Sequence, residues 1–312
     1  MKVLVAGATG AIGRSLVPAL LSAGHEVCGT TRTAARLDLL RGWGAQAELC
    51  DAFEAAAVRA LVQRFAPEVI VNQLTDLPDS FGRRSAPSGY RRTGRIRREG
   101  TRHLLDAAAA GGTRRFITQS IAFLYAPRGG RIKTEDDPPA LQAPPPFGDA
   151  VRDTVAMEEM VLAAPGVAGV VLRYGMFYGP GTWYARDGSV TRMVRRRMHP
   201  IVGDGGGMFS WLHVDDAASA TVRAVESEVT GVFNVSDDEP APVREWLPVF
   251  AAAMGAPAPM HTPVWLARLV AGESAVAALT VAPGASNARA RSVLGWTPRW
   301  SSWREGFVQA PS

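Results

Sequence analysis

Three glycines, Gly7, Gly10 and Gly13, stand at the spacing that lets a chain hold a diphosphate. The first permits a tight turn, the second lets backbone approach phosphate oxygens, and the third lets a helix sit close on the strand before it. They lie between a short apolar run, Lys2–Ala6, and a stretch of helical periodicity that opens at Arg14. A strand therefore turns sharply into a helix there, and the helix N-terminus adds free N–H groups and partial positive charge. Gly7, Thr9, Gly10, Ala11, Ile12 and Gly13 are the expected contacts to a dinucleotide. A second charge-bearing position decides which one. The next strand ends Gly29-Thr-Thr-Arg32, with no carboxylate before Asp38. An acidic residue at that point would bind ribose hydroxyls, whereas arginine offers a charge-assisted contact to a 2′-phosphate. Arg32, aided by Arg14 or Arg36, predicts NADP(H); NAD(H) is admitted if Arg32 only stacks on adenine.

The elements that must position these groups alternate along the chain. Strands are predicted at 2–6, 25–32, 45–50, 67–73, 115–120 and 167–174, and helices at 14–21, 34–43, 54–65, 95–110 and 150–162. Short links between them mean a parallel sheet covered on both faces. The fold class is α/β, a Rossmann doubly wound sheet, with residues 1–174 as the dinucleotide-binding domain. Residues 175–312 form mostly a smaller α/β cap that shapes the substrate pocket, with a strand at about 231–235 returning to the core sheet. In that part, 215–226, 243–254 and 263–269 read as helices.

Bulk properties narrow the classes. The 312 residues are 47% hydrophobic, enough for a sizeable core. No apolar run is long enough to span a bilayer, and no signal peptide precedes the first strand, so a cytoplasmic protein without a membrane partner is expected. Cys28 and Cys50 read as small buried hydrophobes, and the scattered histidines hold no metal. The net charge of +5 is carried almost wholly by arginine, since Lys2 and Lys133 are the two lysines. Local clusters at Arg91–Arg102 and Arg192–Arg197 read as solvated faces or subunit contacts, and no nucleic-acid partner is expected.

Several segments together resemble the extended short-chain dehydrogenase/reductases of the NAD-dependent epimerase/dehydratase kind. They are Gly7-x-x-Gly10-x-x-Gly13, Glu99-Gly-Thr-Arg-His-Leu-Leu-Asp-Ala, Val171-Leu-Arg-Tyr-Gly-Met-Phe-Tyr-Gly-Pro-Gly, His213-Val-Asp-Asp and Val232-Phe-Asn-Val. The resemblance implies that Asp51 and Ala52 contact adenine and that Gln73, Leu74 and Thr75 lie beside the middle of the cofactor. It also puts Tyr174, Gly175 and Met176 beside the nicotinamide.

The departures bear on the reaction. Such enzymes use a Tyr-x-x-x-Lys pair and a serine or threonine that holds the substrate oxygen. Neither lysine here follows a tyrosine at that spacing. If Pro146-Phe-Gly matches the usual Pro-Tyr-Gly, Phe147 takes the tyrosine position; with Glu158 aligned instead, the pair becomes Ala150 and Thr154. Counting back from Tyr125 puts Ile121 at the serine position and Ser120 one before it. Arg97 stands where an asparagine is usual. Ser120, Tyr125 and Tyr174 remain as candidate catalytic hydroxyls.

The activity expected is NADP(H)-dependent reduction of a small hydrophobic carbonyl compound. An isomerase, cyclase or dehydratase that uses the nucleotide as scaffold or transient oxidant is the alternative, and an NADP(H)-sensing protein a further one. Met176, Trp183, Tyr184, Phe209 and Trp211 suggest an apolar or aromatic ligand. Assembly as a homodimer is expected through the helices at 95–110 and 150–162.

Overall fold

The computed structural model describes residues 1–78 and 86–309. Seven strands form the central sheet: β1 (Lys2–Ala6), β2 (Glu26–Thr31), β3 (Gln46–Leu49), β4 (Val69–Asn72), β5 (Arg115–Ile121), β6 (Ala168–Tyr174) and β7 (Gly231–Val235). Their order is β7-β6-β5-β4-β1-β2-β3, and every pairing is parallel. All seven C-terminal ends therefore open on one edge. The order reverses between β4 and β1, which creates the crevice where open α/β sheets bind ligands.

Burial on both faces follows from side chains alternating along each strand. In β1, Val3 and Val5 enter one core, and Leu4 and Ala6 enter the other. The first face is covered by α1 (Ala11–Ser22), which places Ile12, Leu16, Val17 and Leu20 against Ala217, Ala220 and Ala224 of a later helix, Val214–Glu226. Alanines let those two helices approach closely. Helix α2 (Leu37–Gly42) adds Leu40 to that same face, and the second face is covered mainly by α3 (Ala55–Phe65) and α5 (Thr101–Ala110).

The helix expected from residue 95 begins earlier, with α4 (Ala86–Arg95), and continues through a π-helical turn, Ile96–Gly100, into α5. Pro87 is harmless in a first turn, where no intrahelical N–H bond is lost. Gly94 reads as a breaker, but it serves a close contact: a Cβ there would come within 1.9 Å of the Asp153 carboxylate on α6 (Phe147–Leu162). Helix α6 likewise starts three residues before the expected Ala150, directly after Pro146.

The cap holds α7 (Ser189–Arg195), α9 (Val243–Ala253), α10 (Val264–Ala271), α11 (Glu273–Thr280) and α12 (Trp303–Gln309), with α8 (Val214–Glu226) returning to the sheet. The sequence reading missed α7, α11 and α12. Aromatic rings supply the cap's own core. Trp211 lies edge-on to Tyr184 and Trp246, with centroids 4.8 Å apart in each pair, and Phe250 and Phe307 close the cluster. Tyr184 and Trp211 are thus interior residues, while Met176, Trp183 and Phe209 are half-buried at its margin.

Candidate active site

The residues read from the sequence as cofactor contacts gather at the C-terminal edge of the sheet. Gly7 has φ +82°, and a Cβ on it would lie 2.9 Å from the carbonyl oxygen of Gln73. A Cβ on Gly13 would lie 2.1 Å from the oxygen of Ala8, so only glycine lets α1 sit on this turn. At Gly10 the nearest atom would be the Gly7 oxygen at 3.4 Å, which leaves that side of the loop open. No side chain caps α1, so its first amides stay available. Thr9 is buried and reaches Thr31 Oγ1 at 3.4 Å, tying the loop to β2. Ala11 and Ile12 open the helix itself. Turn, close approach and unclaimed helix N-terminus together fit a dinucleotide diphosphate.

The exits of β2 and β4 embrace this loop. The Ala8 amide donates to Thr30 O at 3.1 Å, and the Gln73 amide donates to Ala6 O at 2.9 Å. Beyond β2, Arg32 pairs with Asp76, Nη2 to Oδ1 at 2.7 Å, and Arg92 of α4 approaches the same carboxylate at 3.4 Å. Arg14 runs instead toward Gly181 of the cap. The sequence reading missed Asp76 and Arg92, which lie far from Arg32 along the chain. Asp51 accepts the Phe53 amide at 3.0 Å, and the Ala52 carbonyl meets His103 Nδ1 at 2.9 Å, fixing the exit of β3. Leu74 is anchored through its amide to Asn72 Oδ1, and its oxygen accepts from Gln119 Nε2. Thr75 follows, next to Asp76. The Gln73 side-chain oxygen is buried without a protein partner. Gly175 donates to Val235 O and Met176 to Ser210 O, so the exit of β6 is stitched to β7 and to the cap.

The three candidate catalytic hydroxyls sit inside hydrogen-bond networks. Ser120 Oγ donates to Glu158 Oε1 at 2.5 Å. Glu158 is held by Arg173 through Nε at 2.9 Å and Nη2 at 2.6 Å. Arg173 Nη1 donates to the Tyr125 hydroxyl at 2.9 Å, which donates in turn to Asn234 Oδ1 at 2.6 Å. Five residues from β5, β6, β7, α6 and the loop after β5 are locked together. Removing one partner of such a buried bidentate pair costs about 3–5 kcal/mol, because the other charge is left unpaired. Tyr174 is buried as well. It accepts from Gln73 Nε2 at 3.2 Å; since Thr221 spends its own proton on Ala217 O, Tyr174 donates to Thr221 Oγ1 at 2.7 Å. Burial pushes the phenols of Tyr125 and Tyr174 up to about 12. Neither is a base near neutrality.

Beside Ser120 the chemistry changes character. Ile121, Phe147 and Val155 pack half-buried on Ala122, Leu124, Tyr125 and Val151 in one cluster. Phe147 and Val151 are four residues apart on α6, the spacing of a Tyr-x-x-x-Lys pair, and Ile121 ends β5 beside Ser120. All three positions are apolar and meet in one corner. Lys133 pairs along its backbone with Ala285 of the same cluster, but its buried ammonium is bound to Arg128 O and Asp137. Arg97 reaches α6 from the π-helical turn and donates to Thr154 Oγ1 at 2.5 Å; burial lowers its pKa to about 10.

The cap is fastened by acidic residues that follow the strand Trp211–His213. His213 Nδ1 accepts the Asp215 amide at 3.2 Å and caps α8, while Asp215 takes a 2.7 Å bond from Ser15 of α1. Asp216 accepts the amides of Arg299 and Trp300 at 2.8 and 3.0 Å. Trp183 Nε1 donates to Pro78 O at 3.1 Å, joining the cap to the segment after β4. Arginines of α4 and of the π-helical turn after it are paired within the chain, Arg95 with Glu99 and Arg98 with Asp153, as is Arg152 with Asp149 on α6. Among the described residues no helix is long and apolar enough to cross a membrane, and no group of three His, Cys, Asp or Glu could hold a metal.

Residues 3–236 match the NAD dependent epimerase/dehydratase family. A 3-diazoavenalumate denitrifying reductase of a Streptomyces species is 46% identical over 98% of this chain and 99% of its own. Among solved structures, the UDP-glucose 4-epimerase of Thermotoga maritima with UDP-glucose superposes with a TM-score of 0.77 at 21% identity, covering 99% of this chain and 96% of that one. Human epimerase family protein SDR39U1 with NADPH gives 0.74 at 22% identity, covering 99% and 98%. The chain therefore belongs to the NAD dependent epimerase/dehydratase family, as an enzyme of the short-chain dehydrogenase/reductase type.

Proposed function

We propose that this enzyme is an NADPH-dependent reductase of a small aromatic compound bearing a diazo group, which it converts with loss of dinitrogen. The observation that carries the reading is the apolar corner of Ile121, Phe147 and Val151. When bound, the reduced dinucleotide supplies a hydride. A carbonyl acceptor would also need a proton for its developing alkoxide. The side chains gathered in that corner have none to give, and Ser120, Tyr125 and Tyr174 have committed theirs elsewhere. An aryl diazonium ion needs no proton. Its C–N bond breaks, dinitrogen leaves with that electron pair, and the hydride's pair forms the new C–H bond: Ar–N₂⁺ + H⁻ gives Ar–H + N₂. A wall of Ile121 and Phe147 would also keep water from competing with the hydride. The Streptomyces relative at 46% identity, named for denitrifying reduction of a diazo compound, supports the same chemistry. Arg32 at the exit of β2 supports NADPH over NADH.

The test supplies an aryl diazonium carboxylate with 4-deuterated NADPH. The expected product carries deuterium on the carbon that held nitrogen, with one N₂ per NADPH and a rate nearly flat from about pH 6 to 9, because no acid titrates in the step. Solvent hydrogen at that carbon, or turnover of ketones with diazonium compounds untouched, overturns the reading and returns carbonyl reduction. Assembly as a homodimer through residues 95–110 and α6 belongs to the same reading; a single monomer mass in light scattering refutes it.

A further inference from the structure

We propose that Asp76 sets the cofactor preference of this enzyme by holding Arg32 as an internal stand-in for the 2′-phosphate, which NADP(H) must displace. The inference rests on the reading of Arg32 as the phosphate contact and goes beyond it. Arg32 extends from the end of β2, and Asp76 lies past the end of β4. In the sheet these strands flank β1 on its two sides, so the ion pair bridges the mouth of the Gly7–Gly10 turn. Both carboxylate oxygens face the guanidinium, Oδ1 at 2.7 Å from Nη2 and Oδ2 at 3.5 Å from Nη1. That is the fork a phosphate would also use. The Arg32 side chain is 56% exposed and Asp76 only 18%, so the arginine is the free arm and the carboxylate the anchored one.

The anchoring is specific. The Asp76 amide donates to Thr93 Oγ1 at 3.3 Å, and Arg92 lies 3.4 Å from Oδ2. Two residues on, Pro78 O accepts from Trp183 of the cap. Asp76 therefore stays in place when Arg32 leaves, with Arg92 still beside it to balance its charge. The hydrogen bond and charge of Arg32 hold the Asp76 carboxyl below its usual range, so it is ionised across the physiological range. Asp51, the other carboxylate acting on Arg32, is more remote.

A ligand that needs Arg32 free binds more weakly by the fraction of time the arginine is released, whereas one that does not is unaffected. NADP(H) is the first kind and NAD(H) the second. The experiment measures dissociation constants of NADPH and NADH by intrinsic fluorescence quenching for the wild-type chain, Asp76→Asn, Arg32→Ala and the double variant. Asp76→Asn should tighten NADPH about tenfold, the scale of one charge-assisted contact, and leave NADH within about twofold. Arg32→Ala should weaken NADPH, and in its presence Asp76→Asn should have no effect. Asp76→Ala, which keeps no amide to bond with Arg32, should tighten NADPH like Asp76→Asn. Unchanged or weaker NADPH binding in both Asp76 variants overturns the inference, as does equal tightening of both nucleotides. If Arg32→Ala leaves wild-type NADPH affinity unaltered, the underlying reading of Arg32 fails too, which is a different result from failure at Asp76 alone.

Discussion

Isoleucine, phenylalanine and valine at 121, 147 and 151 make an apolar corner beside the Ser120–Glu158–Arg173 network. Val151 is fully buried beside Leu124 and Tyr125, so a lysine returned to it would have no partner for its charge. Val151→Lys should cost about 3 kcal/mol or more in urea unfolding, or shed its proton, since a buried ammonium is paid for in one of those ways. Phe147→Tyr, half-buried, should stay within about 1 kcal/mol; a stable Val151→Lys with an ordinary lysine pKa would refute the burial argument. The same burial governs the phenols. Tyr125 and Tyr174 titrate near 12 in the folded chain against about 10 unfolded. Their contribution is complete below pH 10 and is lost as pH rises toward 12. Stability should therefore fall across that interval, and Tyr174→Phe should flatten the fall; an unchanged slope would remove Tyr174 from it. That neither lysine follows a tyrosine at the Tyr-x-x-x-Lys spacing was legible in the sequence, because only Lys2 and Lys133 had to be checked. That Ser120 and Tyr125 belong to a Glu158–Arg173 network was not, since its five members are scattered from 120 to 234.

Elements place the glycine turn, and their contacts separate two glycines that the sequence presents alike. Gly13 is fixed by packing: an added methyl would strike Ala8 O at 2.1 Å, pushing α1 off β1 and β2. Gly10 has room on the protein side and an ordinary φ of −75°. Gly13→Ala should lower stability by about 2 kcal/mol or more, as overpacking against backbone does. Gly10→Ala should fold within about 1 kcal/mol of the parent yet weaken dinucleotide binding at least about tenfold, because its methyl points to where phosphate must approach. Thermal melts beside nucleotide titrations check both, and equal losses of stability in the two variants would contradict the assignment. The strand–turn–helix pattern made this legible, since local periodicity and turn chemistry agree with the packing. The early start of α4 was not. Pro87, Gly89 and Gly94 are local breakers, and only α6, about sixty residues later, explains the contact at Gly94.

At the scale of the whole molecule, the sheet and the cap are one folding problem. Residues 175–312 do more than cover the crevice: β7 pairs along β6 from Gly231↔Val170 to Val235↔Tyr174, and α8 lays Ala217, Ala220 and Ala224 on α1. In the other direction, Ser15 of α1 holds Asp215, and Trp183 of the cap holds Pro78 beyond β4. The sequence announces the returning strand, because Gly231-Val-Phe-Asn-Val has strand character. It is silent on α8 as a cover for α1, since an alanine stripe has little periodic signal until its partner is known. A fragment ending at Tyr174 would leave β6 as an apolar edge strand and bare Leu16, Val17 and Leu20 to water. Each such side chain forgoes about 1.5–3 kcal/mol of burial, against a total stability of only about 5–15 kcal/mol. Residues 1–174 alone should therefore show no cooperative thermal transition and should associate through the exposed edge. Adding residues 175–312 as a separate chain should restore nucleotide binding only if both pieces refold together. A fragment 1–174 that is monomeric, melts cooperatively and binds NADPH would show instead that the sheet needs neither β7 nor α8.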